Sequence, residues 1–122
     1  MIVRLATAAV LALAAGCSQP GAPITAKQAA ELDVATSGIS VACGYEEELT
    51  ASQAPPAAEL AQIESIAVSG ARKLAFVYRR DQSDIYQGES VGAIAGDSIS
   101  LLTGCRLPMA RQVLERALRE RR

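Results

Sequence analysis

The chain has 122 residues, a formal net charge of −1, and no histidine or tryptophan. The missing imidazole excludes Ser-His-Asp and Cys-His catalysis, histidine metal sites and imidazole acid–base chemistry near neutral pH. A near-neutral chain with no basic stripe interleaved with aromatics is not built for nucleic acid, and its length suits one small domain of modest stability unless a covalent staple is added.

Met1–Arg4 carries one positive charge, and Leu5–Ala15 is then apolar except for Thr7. Eleven residues cannot cross a bilayer, which takes about 20, but they suit the hydrophobic region of an export signal. The run closes on Leu13-Ala14-Ala15-Gly16-Cys17. This segment resembles the lipobox of bacterial lipoprotein signal peptides, in which small residues precede a cysteine, with Ala14 standing where that family prefers leucine. The resemblance covers residues 1–17 only. It implies cleavage before Cys17, a diacylglycerol on that residue and anchoring through at least two acyl chains. Removing residues 1–16 leaves 106 and a net charge of −2. Ser18 after the cysteine resembles the outer-membrane sorting pattern. The alternative is plain secretion, with cleavage after Ala12-Leu13-Ala14. An exported protein with three cysteines would then carry an odd, reactive thiol. Lipidation of Cys17 removes that problem and leaves Cys43 and Cys105 to form a disulfide in an oxidising compartment.

Residues 17–24 read as the lipidated N-terminus and a Pro/Gly-rich tether, and residues 25–122 as one helical domain. Thr25 and Gln28 have capping-box spacing. Leu32, Ala35, Ile39, Ala42 and Leu49 then follow 3-4 spacing, with Glu46 in the one polar slot and Ser37-Gly38 as a candidate break. Thr50–Pro56 reads as a loop. Ala57–Arg80 is the strongest periodic segment, through Leu60, Ile63, Ala67, Gly70, Leu74 and Val77, widened by Ile66 and Tyr78. Asp81–Asp84 reads as a turn. Ser90–Thr103 carries a further helical pattern, with Gly104 as its stop, and Pro108 opens a final helix. These elements predict an all-α fold, a small antiparallel bundle of about four helices stapled by one disulfide. The alternative is α+β, with Lys73–Arg80 and Ile99–Leu102 as buried strands.

No sequence motif calls for a cofactor or a metal. Glu46-Glu47-Glu48 could offer oxygens to a hard cation, but consecutive helical residues diverge, so a solvated face explains them. Residues 106–122 hold six arginines against two glutamates, a candidate contact for anionic lipid or wall polymer. Ion pairs along an exposed helix account for them equally well. Gly92 and Gly96, with Gly88 if the helix starts early, are expected to form a packing groove for Ala67, Gly70 and Ala71. The alternative is a loop extending to Gly96. Together these features predict a non-enzymatic, membrane-anchored envelope lipoprotein that binds a protein or polymer partner. A small-ligand carrier with an apolar bundle cavity is the second candidate, and an enzyme using carboxylates with Tyr or Arg is the third.

Overall fold

The computed structural model describes residues 22–52 and 57–120. The chain is all-α: α1 (Ala26–Ser52), α2 (Ala57–Asp81), α3 (Val91–Gly104) and α4 (Pro108–Glu120), with a hairpin of β1 (Ile85–Tyr86) and β2 (Glu89–Ser90) between α2 and α3. The strand alternative for Lys73–Arg80 and Ile99–Leu102 fails, because both segments lie inside helices.

The start of α1 is a reciprocal cap. The Thr25 amide donates to Gln28 Oε1 at 3.1 Å, and the Gln28 amide donates to Thr25 Oγ1 at 3.2 Å. Gln28 Nε2 also donates to Asp81 Oδ2, tying this end of α1 to the end of α2. The helix runs unbroken through Ser37 and Gly38. Neither residue breaks the hydrogen-bond ladder, and the flanking Ala35 and Ile39 are anchored in the core. It also continues through Thr50, Ala51 and Ser52, so the expected loop starts later. Thr50 stays helical by donating its hydroxyl to the Glu46 carbonyl at 2.8 Å. Residues 53–56 of that loop lie outside the described residues.

α2 is the central helix and makes the largest contacts in the molecule, with α1 and α4. Its expected stripe is buried from Ile63 to Val77, and Ala71, Ala75 and Tyr78 add a second buried row. Ile66 does not join the core; it is 44% exposed on the outer face. The two helices approach closely at Gly70, where a Cβ would lie 2.8 Å from the Ala35 carbonyl oxygen and 3.1 Å from Ile39 Cγ1. No larger residue fits that position unless the helices move apart.

The expected turn after α2 is followed by a hairpin that pairs Ile85 with Ser90 and Tyr86 with Glu89. Gln87 and Gly88 both have positive φ, 50° and 83°, the conformation of a two-residue type I′ loop. The hairpin also holds the beginning of the described chain. Ile85 donates its amide to the Ala22 carbonyl at 2.9 Å, and the Ile24 amide donates to the Ile85 carbonyl at 3.1 Å. Ala22 and Pro23, expected in a free tether, are therefore docked on the bundle.

Ser90 caps α3, its hydroxyl accepting from the Ala93 amide at 3.1 Å. The helix ends in a Schellman motif, with Leu107 donating to the Leu102 carbonyl and Arg106 to that of Thr103. The left-handed position is taken by Arg106, at φ 59°, and not by glycine; Gly104 is the last helical residue. The buried Leu107 anchors the motif and holds Arg106 in place. Pro108 then opens α4, which buries Ala110, Leu114 and Ala117.

Cys43, in α1, is bonded to Cys105 at the end of α3, with the Cα atoms 5.3 Å apart and the two cysteines 62 positions apart in sequence. Closing a loop of that size stabilises the fold by about 4 kcal/mol through the entropy it removes from the unfolded chain. Replacing both cysteines with alanine should lower the unfolding free energy by about that amount, measured by urea titration. Reductant should then leave the double variant unaffected. A double variant as stable as the wild type would show that the bond contributes nothing.

Candidate functional site

The described residues present open grooves and exposed apolar side chains. A depression of about 760 Å³ runs along α2 and is lined by Leu60, Glu64, Val68 and Arg72 on one row and by Ala61, Ser65 and Lys73 on the next, with Met109 of α4 at its edge. One helix and one neighbouring side chain form it, so it is an open groove and not a chamber inside the bundle. Met109 is 59% exposed, although methionine is ordinarily buried.

A second tract lies on the outer side of α1 and α2. Val34, Val41, Tyr45 and Ile66 are between 44% and 57% exposed, and Val34, Gly38, Ile66 and Ser69 line a shared depression of about 300 Å³. In α1 the residues Val34, Gly38, Val41 and Tyr45 follow 4-3-4 spacing, which gives that helix a second apolar stripe beside its buried one. Contiguous apolar surface on a rigid helix pair is the ordinary mark of a docking face. Its surroundings carry both signs: Asp33, Glu47 and Glu48 stand exposed on α1, and Lys73 of α2 lines the depression itself.

The Glu46–Glu48 run divides. Glu47 and Glu48 are exposed, whereas Glu46 is 3% exposed, and its Oε1 has no hydrogen-bond partner among the described residues. The polar slot in the 3-4 pattern is therefore truly inward, and the solvated face accounts for only two of the three acids. Among the described residues, no group of three or more Cys, Asp or Glu side chains could hold a metal ion.

The arginine-rich segment is used partly within the fold. Arg111 pairs with Glu115 at 3.7 Å, and Glu120 pairs across to Arg79 of α2 at 3.0 Å. Arg80 lies over the Phe76 ring, 5.4 Å from its centroid, a contact worth about 0.5–1 kcal/mol at an exposed site.

Of the predicted site residues, Cys43 and Cys105 come together and Cys17 lies outside the described residues. The glycine groove does not form as expected. Gly70 packs against α1 and not against α3. Gly92 meets the Gln82 carbonyl oxygen, which would lie 3.2 Å from an added Cβ, and the Tyr78 ring at 3.7 Å. Gly96 and Gly88 have no neighbour within 4 Å of an added Cβ, and Gly88 belongs to the hairpin turn. The reason is the hairpin: it carries the chain back against the end of α2, so α3 meets Gln82 and Tyr78 at Gly92, and Gly96 turns away from any close contact. The two apolar tracts were missed because their 3-4 spacing is the same as that of a core face.

Among the described residues, no helix is long and apolar enough to cross a membrane. No protein-family model, curated protein or solved structure matches the chain.

The glycines differ in what replacement should do. Gly96→Ala should stabilise the protein by up to about 1 kcal/mol, since it raises helix propensity in open space. Gly70→Ala should destabilise it by about 1–3 kcal/mol through overpacking against the Ala35 carbonyl. Thermal melts of the two variants check this; equal shifts of the same sign would contradict the assigned contacts.

Proposed function

We propose that the protein is a non-catalytic lipoprotein of the bacterial cell envelope, anchored through Cys17, that presents a helical docking face to an envelope protein. The observation that carries the proposal is the Cys43–Cys105 bond. Structural disulfides are characteristic of exported proteins, and this one accounts for two of the chain's three cysteines, Cys17 being the third. That residue sits directly after the apolar run and the small residues of the lipobox-like segment, where lipidation would consume the remaining thiol.

The docking face is the exposed tract of Val34, Val41, Tyr45 and Ile66. Its rigidity comes from the buried side of the same two helices, so binding costs little ordering entropy. The exposed acids on the α1 side and Lys73 on the α2 side favour a partner with the opposite arrangement of charge, because opposite potentials speed encounter and like charges across an interface are costly. A carrier role is less well supported: the 760 Å³ groove is open along α2 and would leave a small ligand largely in water, whereas ligand sites bury most of their occupant.

Mass spectrometry of the N-terminal peptide from the native protein tests the anchor. The expected product begins at Cys17 and carries a diacylglyceryl group, and Cys17→Ser should abolish labelling by palmitate. A mature N-terminus elsewhere, or an unmodified Cys17, would overturn the proposal.

A further inference from the structure

We infer that the groove along α2 is a homodimer interface, in which α2 of one copy crosses α2 of a second copy antiparallel about a two-fold axis at Val68. The inference is independent of the lipid anchor. It comes from the order of residues along one ridge of the helix.

Residues four apart on a helix form a continuous ridge, and two such ridges pack into each other's grooves at a crossing angle of about 50°. The ridge lining the groove reads Leu60, Glu64, Val68, Arg72, and the exposed Phe76 continues it. A two-fold axis at residue 68 exchanges positions 64 and 72. It therefore sets Glu64 of each copy against Arg72 of the other, twice, with Val68 against Val68 at the centre. Such an isologous contact requires a self-complementary patch, and this ridge has one: acid on one side of an apolar centre and base at the same distance on the other.

Both charged groups are available. Neither Glu64 nor Arg72 takes part in an ion pair among the described residues. Glu64 Oε2 is shielded from solvent and accepts no hydrogen bond from them, and Arg72 is exposed. The adjoining row is small at Ala57, Ala61, Ser65 and Ser69 and ends at Lys73; its small part lets a second helix approach closely enough for dispersion contacts. Met109 covers one flank of the crossing, and its exposure in the single chain is then removed. The α1 face cannot pair with itself in this way. An antiparallel match of Val34 with Tyr45 would set Glu31 against Glu48, acid against acid.

The test uses the mature chain with Cys17→Ser, exported behind a cleavable signal so that the disulfide forms, and sedimentation equilibrium as the readout. The parent should dimerise. Glu64→Arg and Arg72→Glu should each weaken association by at least about tenfold, a cost of about 1.4 kcal/mol, because each puts like charges in both contacts. Glu64→Arg/Arg72→Glu should regain the dimer, and mixing the two single variants should give heterodimers. Circular dichroism verifies that each variant is folded. As a second readout that disturbs no buried group, Ser69→Cys should be linked to a second copy by a short bis-maleimide, the native cysteines being held in their disulfide. A parent that stays monomeric to its solubility limit, single swaps that do not weaken the dimer, folded single swaps without rescue in the double variant, or no Ser69→Cys crosslinking would each overturn the inference.

Discussion

The fold depends on how closely α1 and α2 approach each other at Gly70. This core is poor in large side chains; many of its fully buried positions are alanines, among them Ala35, Ala42, Ala67, Ala71, Ala75, Ala95, Ala110 and Ala117. Alanine buries little area, so helices packed through it gain stability only when their backbones come near enough for dense contact. Gly70 permits this by letting the Ala35 carbonyl and the Ile39 side chain occupy the space of a Cβ. With α2 held there, its opposite side accepts Ala110, Leu114 and Ala117 of α4, and α3 closes the remaining side. The disulfide reinforces the same arrangement by tying α1 directly to the α3–α4 junction, which is otherwise reached only through the rest of the chain.

The parts of this architecture visible in the sequence are those with local causes. Thr25 and Gln28 cap each other across three residues, Pro108 begins a helix wherever it is found upstream of an apolar pattern, and the α2 stripe repeats for five turns. The Cys43–Cys105 pairing was legible by elimination, since export makes an odd thiol costly. The hairpin was not, because strands of two residues are too short to show alternation, and Gln87 gives a weaker positive-φ signal than asparagine would. Arg106 in the left-handed position was hidden for a similar reason: burial of Leu107, a tertiary effect, outweighs the local preference for glycine. The exposed apolar tracts were illegible in a different sense. Val34, Val41 and Tyr45 carry helical spacing as regular as that of Leu32, Ala35 and Ile39, and only the packed structure tells which stripe faces α2.

Electrostatic layout separates the two faces of α2. On α1 the exposed charges beside the tract are acids, and self-association of that helix would bring carboxylates together. Towards α4 the ridge from Glu64 to Arg72 alternates in sign about its centre and suits a copy of itself. The two faces are not independent, because Ser65, Ser69 and Lys73 line both depressions, so a second copy on the ridge and a partner on the α1 tract would meet along that row.

The docked start of the chain limits how such an assembly could sit on a membrane. Ala22 is fixed to Ile85, at the end of the bundle where α1 begins and α2 finishes. If Cys17 bears the anchor, only four residues lie between it and that point, a reach of at most about 17 Å over five fully extended steps. A single copy could then stand upright, its α1 of 27 residues extending about 40 Å from the bilayer at 1.5 Å per residue. An antiparallel pair could not, because the two-fold axis sends the Ala22 ends in opposite directions along the helices. Both anchors enter one bilayer only when the helices lie along its surface, with the axis normal to it. Pairing and lipidation together would thus lay the protein flat and hold the exposed tract of α1 at a fixed height above the lipid.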